Sequence, residues 1–219
     1  MGMTAVQDKV KEIKQSFRTM MDGATAQSMR QKGMDYKLNW GATLPRLQEM
    51  AAELRQDVAA MQPPSSWSLY DLALALWKED VRECKILATM LMPADEILPE
   101  VVDIWMEQTP TVEIAEQAAF NLYQHLPFAA EKAYQWLSSS SVLPQLCGYH
   151  VLSRLFARGQ EPNDRGINEF VDQALAALQS DSLVLRKAAM QSLIRFSDMG
   201  LMYQRLAQSA IRTIGMDFI

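Results

Sequence analysis

The sequence predicts an all-α protein, an α-solenoid of antiparallel helical hairpins of the HEAT-like kind, with about 11–12 helices. Apolar residues recur three and four positions apart, and the strict alternation expected of strands is almost absent. Most of the glycines and prolines fall between the periodic segments, as expected for connections between helices. With 219 residues, 49% of them hydrophobic, we expect one folded domain over residues 1–219.

Three helices are predicted in the first 60 residues. The first carries a single apolar stripe, formed by Val6, Val10, Ile13, Phe17 and Met20. A short helix over residues 25–32 should end before Gly33, because glycine favours the position just beyond a helix. Residues 34–41 show no helical period and are expected to form a connection. Thr43 is a predicted N-cap, with Pro45 in the first turn of the third helix.

The rest of the chain is expected to form one hairpin after another. The prolines and serines at 63–66, Pro93, Pro127 and the serines at 138–141 separate the periodic segments. The predicted helices cover residues 67–77, 81–92, 95–107, 111–125, 128–137, 142–158, 164–178, 182–196 and 201–214. Because the connections are short, successive helices should lie antiparallel and side by side.

A self-comparison favours a stack of repeats over a closed bundle. Residues 75, 76, 81, 85 and 91 match residues 177, 178, 183, 187 and 193 in type, at a constant offset of 102 positions. This offset is about three units of 34 residues, which is the typical length of one helical-repeat unit.

Charge is unevenly distributed along the chain, although the net charge is only −5. Residues 67–136 carry twelve acidic and four basic side chains, and this segment is poorly suited to follow a nucleic-acid backbone. The N-terminal segment is richer in cations, with Lys9, Lys11, Lys14 and Arg18 on one predicted helix. Arg30, Lys32 and Lys37 follow closely. These side chains either contact phosphate or form solvated helix faces.

The aromatic residues fall into two groups. Trp77, Trp105 and Trp136 lie within apolar stripes and are predicted to pack in the core. Tyr36 and Trp40 lie outside the predicted helices, close in sequence to basic residues. They either pack against the fold or contact a nucleic acid or a peptide.

Several classes of site are not expected. The two cysteines, Cys84 and Cys147, are predicted to be reduced thiols packed within helices. Since the chain has only two histidines and no Cys or His pair at ligand spacing, we predict no metal and no cofactor. The sequence shows neither a signal peptide nor a run of roughly 18 apolar residues, so we predict a cytoplasmic protein without a membrane partner.

Residues 72–88 resemble the helix-turn-helix signature of the DNA alkylation repair family, the AlkD-like HEAT-repeat DNA glycosylases, which carry a similar string of Leu-Trp, acidic residues, Arg-Glu and Leu-Ala. Residues 29–47 and 186–196 are similar to two further family segments. The resemblance implies a concave stack of helices that holds duplex DNA. It also implies excision of N3- or N7-alkylated purines without extrusion of the base.

The resemblance also implies where a catalytic site would lie. A cationic base is held by tryptophans, and an acid stabilises the sugar cation that forms as the bond breaks. Glu116 aligns with the family acid and is the candidate catalytic residue, while Val112 and Gln191 take the two tryptophan positions. Cys147 and Gly148 replace paired arginines. These departures predict that base-excision activity is lost or altered.

Two functions therefore remain open. The first is DNA binding by a groove whose rim carries basic side chains, namely Lys9, Lys11, Arg30, Lys32, Lys37, Arg186 and Lys187. The alternative is a non-enzymatic scaffold that holds a protein or peptide in the concave groove of the repeat stack.

Overall fold

The computed structural model describes residues 2–34, 36–60 and 67–216, with only the backbone for Gly2 and Met3. This part of the chain forms twelve α-helices and a 3₁₀ turn, with no β-strand. The helices are α1 Gly2–Thr19, α2 Gly23–Gln31, α3 Leu44–Ala60, α4 Leu69–Trp77, α5 Arg82–Leu91, α6 Pro99–Glu107, α7 Val112–Asn121, α8 Ala129–Leu137, α9 Val142–Ala157, α10 Asp164–Leu178, α11 Leu183–Ser197 and α12 Leu201–Thr213, with the 3₁₀ turn at Tyr123–His125. The predicted break at residues 63–66 lies outside the described residues. Among the described helices, none has the length and apolar character needed to cross a membrane.

Two predicted helix boundaries are wrong. Helix α6 begins at Pro99 instead of residue 95, because the residue before a proline is disfavoured in the helical region. Leu98 is accordingly extended, with a ψ of 148°, and Pro99 occupies the first turn. Helix α7 ends at Asn121 instead of residue 125. There Leu122 leaves the helical region, with φ −127° and ψ −62°, and its side chain is fully buried.

The chain divides into two compact units, residues 1–122 and 123–219. In the first unit α4 pairs with α5 as a hairpin, and α1 packs on α4. The helices α3, α5 and α7, each the second of a consecutive helix pair, pack side by side in that order. In the second unit α8 pairs with α9 and α10 with α11, while α9 packs on α11 and α12 closes on both α10 and α11. Neighbouring second helices therefore contact one another within each unit, as in helical repeats. The single domain over residues 1–219 remains a prediction.

Tryptophans fill the core of the first unit, as predicted. The rings of Trp77 and Trp105 stack with centroids 4.3 Å apart and an interplanar angle of 5°. The Lys85 ammonium lies 4.7 Å from the Trp77 ring centroid and donates to the Trp77 carbonyl oxygen at 2.9 Å. This cation–π contact and hydrogen bond keep the buried Lys85 paired, although burial lowers its pKa.

Aromatic rings also hold the second unit together. Phe170 lies 4.9 Å from Phe156 and 5.1 Å from Phe196, measured between ring centroids. Phe196 in turn contacts Tyr203 edge-on at 5.0 Å. These rings come from α9, α10, α11 and α12, and their tilted and edge-on contacts are the favourable geometries for aromatic pairs.

The structure places the two matching segments at equivalent positions of two hairpins, α4–α5 and α10–α11. Leu76 and Leu178 lie in the last turn of the first helix of each hairpin, and both are buried. Leu91 and Leu193 are likewise buried on the second helix. The lysines differ, since Lys85 is buried in the core whereas Lys187 is exposed. The two hairpins therefore share their helical backbone and their buried leucines, but not the role of the lysine.

A close approach of α8 and α9 depends on Gly148. A Cβ atom at this position would lie 2.8 Å from the Ala133 carbonyl oxygen and 3.1 Å from Leu137 Cδ2. The adjacent Cys147 is completely buried, and both cysteines are free thiols, as predicted. Burial raises the pKa of the Cys84 thiol to about 12 and the pKa of Cys147 further still, so both are protonated and poor nucleophiles.

We predict that Gly148→Ala lowers the free energy of unfolding by about 1–3 kcal/mol, because the added methyl group meets backbone that cannot rotate away. Gly23→Ala is the matched control, since a Cβ at this helical glycine meets nothing within 4 Å. Urea unfolding at constant m-value measures both changes. Equal stability of the two variants would contradict the proposed close approach.

Candidate nucleic-acid interface

The candidate interface of the first unit centres on the non-helical connector between α2 and α3, residues 36–43. Helix α2 ends before Gly33, whose φ of +80° stops it as predicted. Gly41 has a φ of +76°, and a Cβ on it would collide with the Asp22 carbonyl oxygen. Gly33 thus ends α2 ahead of the connector, and Gly41 lets the connector pass close to the start of α2.

A charged network fixes the beginning of the connector. The Tyr36 hydroxyl donates to Glu113 Oε2 at 2.5 Å and lies 2.8 Å from the Thr111 hydroxyl. Arg82 donates to both oxygens of the same carboxylate, from Nε at 2.9 Å and from Nη2 at 2.6 Å. Tyr36 is thereby held against α5 and α7 by a two-pronged arginine–carboxylate pair.

The electrostatics of this network make Glu113 a structural anion. Burial alone would raise its pKa, but hydrogen bonds from Arg82 and Tyr36, together with the Arg82 charge, hold the pKa below its usual value. Burial and the Glu113 carboxylate raise the pKa of Tyr36, so its hydroxyl remains a donor. Glu113 is therefore ionised at neutral pH and engaged by two donors, which leaves it unsuited to act as a general acid.

Glu83 fixes the end of the connector. Its carboxylate is completely buried and accepts the backbone N–H groups of Trp40 at 3.1 Å and Ala42 at 3.2 Å. Beside it, Arg82 Nη1 donates to the Ala42 carbonyl oxygen at 2.9 Å and lies 3.3 Å from Glu83 Oε1. We call this pair of side chains the Arg82–Glu83 clamp.

The backbone of the connector adds further contacts. The Arg82 N–H donates to the Leu38 carbonyl oxygen at 3.0 Å, and the Asp22 N–H donates to the Trp40 carbonyl oxygen at 2.9 Å. The indole of Trp40 is half-buried, with Nε1 buried and without a hydrogen-bond partner among the described residues. The aromatic residues of the connector thus pack or bond within the first unit.

Three of the predicted phosphate contacts lie on or beside the connector. Arg30 is in the last turn of α2, Lys32 caps that helix, and both side chains are exposed. Lys37 is 78% exposed on the connector, where its Nζ lies 3.7 Å from Asp80 Oδ2. The connector therefore exposes Lys37 to solvent, close in sequence to the exposed Arg30 and Lys32 at the end of α2.

The other predicted basic residues lie on helices. Lys9 and Lys11 belong to α1 and pair with Glu12 and Asp8, each at 3.0 Å, which reduces the positive potential they offer. In the second unit, Arg186 and Lys187 lie near the start of α11. Arg186 is half-buried and donates to the Ser180 carbonyl oxygen at 2.5 Å, whereas Lys187 is exposed.

Cations are scarce at the surface of the acidic segment, residues 67–136. Three of its four basic side chains, Arg82, Lys85 and Lys132, are buried, and Lys78 is exposed. The formal charge of the segment does not reveal this burial, and the sequence did not predict the roles of Arg82, Glu83 and Glu113. The available signal was a charged pair at the start of a helix whose remaining residues are mostly apolar.

The residues aligned with a glycosylase site lie on α7 and α11. Glu116 is half-buried on α7, one turn after Val112, and Gln191 is an exposed residue of α11. All five tryptophans lie in the described ranges. Four of them are buried, and only Trp40 is half-exposed. Within those same ranges, no group of three His, Cys, Asp or Glu side chains is arranged to hold a metal.

Comparison with known proteins identifies related sequences and folds. The profile of a family described as DNA alkylation repair enzyme matches residues 13–199. A solved structure from a new family of proteins related to the HEAT-like repeat DNA glycosylases, with affinity for branched DNA structures, has a similar fold. Its TM-score is 0.77 at 12% identity, covering 93% of this chain and 82% of that chain. No curated protein matches significantly. The predicted HEAT-like fold is confirmed.

We predict that Arg82→Met lowers the free energy of unfolding by about 3–5 kcal/mol, because it leaves the Glu83 and Glu113 carboxylates without their buried counter-ion. Arg46→Met is the control, since Arg46 pairs with Glu49 at 3.1 Å on the exposed face of α3. That loss should be about 0–1 kcal/mol. Chemical denaturation of both variants measures the two changes in the free energy of unfolding. Equal changes would contradict the prediction that Arg82 contributes more to stability than an exposed arginine.

Proposed function

The chain belongs to the DNA alkylation repair enzyme family, and from this premise we propose that it binds DNA through the phosphate backbone without excising bases. The observation that carries the proposal is the family match over residues 13–199, which spans the connector and helix α11. Arg30, Lys32, Lys37, Arg186 and Lys187 lie within that range. Lys9 and Lys11 lie before it and are engaged by neighbouring carboxylates.

Exposed cations support binding to the backbone in preference to base readout. Lys and Arg side chains that neutralise phosphates release condensed counter-ions, which gives affinity without sequence preference. Arg30, Lys32 and Lys187 are exposed. Lys37 is also exposed, and its Nζ lies 3.7 Å from Asp80 Oδ2, at the long end of ion-pair distances. The affinity of a protein with a similar fold for branched DNA leads us to propose junctions, beside plain duplexes, as ligands.

The absence of base excision is proposed from the tryptophans. Recognition of a cationic purine needs aromatic faces that line an accessible site. Here the rings of Trp77 and Trp105 stack on each other in the core, and Trp136 is also buried. Glu116 remains the candidate acid, but a carboxylate without aromatic walls has no means of selecting an alkylated base.

Gel-shift titrations with a duplex and a four-way junction, at a series of salt concentrations, test the proposal. We expect binding at low salt, with log K falling linearly against log salt at a slope of about −3.5 to −4.5, as expected for four or five phosphate contacts. In parallel, methylated DNA incubated with the protein should release no 3-methyladenine or 7-methylguanine above the buffer control.

Failure to retain any of these DNAs at low salt would overturn the DNA-binding proposal. Release of a methylated base would overturn the proposed lack of excision. If Glu116→Gln then abolished that release, the catalytic acid would be Glu116; if it did not, Glu116 would be excluded from that role.

Lys37 and Asp80 should change DNA affinity in opposite directions. Lys37→Ala removes one phosphate contact and should make the salt slope less negative by about 1. Asp80→Asn removes the carboxylate that lies 3.7 Å from the Lys37 ammonium, so affinity should rise. Both side chains are exposed, so stability should stay within about 0.5 kcal/mol. Fluorescence anisotropy with labelled duplex measures the two affinities, and changes of the same sign would remove Lys37 from the interface.

A further inference from the structure

The structure holds the connector by contacts that come from outside its own sequence neighbourhood. Its backbone lacks the hydrogen bonds of a helix, so its polar groups need other partners. The Arg82–Glu83 clamp supplies them at Trp40 and Ala42, and Glu113 engages Tyr36 at the other end. Both ends of the connector are therefore attached to α5 and α7.

The Arg82–Glu83 clamp lies beneath the surface and not among the exposed cations. Arg82 and Glu83 are 1% and 0% exposed, so neither can reach a ligand. Lys37, one residue after Tyr36, is 78% exposed. The buried charges of Arg82 and Glu83 thus hold the connector backbone, whereas the exposed charge of Lys37 is accessible to a ligand.

We infer that Arg82 and Glu83 are positioning residues for DNA binding, which hold the connector in the conformation that presents Lys37 to phosphate beside Arg30 and Lys32 at the end of α2. This inference rests on the proposed function. A loop that is ordered before binding loses less conformational entropy when it docks, so its contacts yield more affinity. A loosened connector would carry the same charges but bind more weakly.

The substitution Glu83→Gln separates this role from simple electrostatics. It removes a negative charge, which by itself would strengthen attraction to DNA. It also replaces the oxygen pair that accepts the Trp40 and Ala42 N–H groups with an amide, which has one acceptor oxygen and a donor group. Electrostatics and positioning therefore predict opposite changes in affinity.

Glu49→Gln is the matched control. It makes the same change of charge on an exposed residue of α3, whose carboxylate pairs only with the neighbouring Arg46 among the described residues. Tyr36→Phe is a milder second variant, because it removes only the hydroxyl that donates to Glu113. It carries the test if Glu83→Gln does not fold.

The experiment combines amide hydrogen exchange, read by mass spectrometry, with anisotropy titrations of the full chain against a labelled duplex. In Glu83→Gln we expect exchange of the Trp40 and Ala42 amides to rise about tenfold or more, while exchange in α9 and α11 stays as in the unsubstituted protein. DNA affinity should fall about three- to tenfold, with a less negative salt slope. Tyr36→Phe should show smaller changes in the same directions, and Glu49→Gln should show unchanged exchange with equal or higher affinity.

Two results would overturn the inference. One is connector exchange in Glu83→Gln and Tyr36→Phe at the rate of the unsubstituted protein. The other is faster exchange with undiminished DNA affinity. Failure of the unsubstituted protein to bind DNA would instead overturn the proposed function, and the inference about DNA would fall with it, although the exchange rates would still report whether the clamp orders the connector.

Discussion

Arg82 and Glu83, two adjacent residues at the start of α5, bury opposite charges in the interior of the first unit. Removing an ion from water costs several kcal/mol, so such a pair is retained only when many hydrogen bonds compensate. Here the arginine donates to Ala42 and to both Glu113 oxygens, and Glu83 accepts two backbone N–H groups. An apolar pair of the same size would leave the connector's backbone groups buried without partners.

The position of the pair in α5 follows from helix geometry. The first N–H groups of a helix lack intrahelical acceptors, and Val81, the N-cap of α5, offers no side-chain cap. The connector fills this gap, because its Leu38 carbonyl oxygen accepts the Arg82 N–H. Glu83, in the first turn, also lies at the end of the helix dipole that favours a negative charge. The helix start and the connector therefore stabilise each other.

The sequence predicted the helices well because apolar spacing depends only on neighbouring residues. Its boundary errors came from local stereochemistry, since Pro99 sets where α6 can begin. The candidate site was harder to predict. Arg30, Lys32 and Lys37 were expected to be exposed and are, but the Glu113 partner of Tyr36 lies 77 positions away. The formal charge of residues 67–136 also does not reveal that helix packing buries Arg82, Lys85 and Lys132. Such pairings depend on how helices meet, which periodicity does not specify.

The string that carries the family resemblance, residues 72–88, consists largely of structural residues. Trp77 stacks in the core, Lys85 covers its ring, and the clamp orders the connector. A match to this string therefore reports the fold of the first unit and says little about base excision. The second unit supports the same separation. At Gly148, aligned with a family arginine, any side chain would press on the backbone of α8. The close packing of α8 on α9 therefore requires a residue without a side chain at this position.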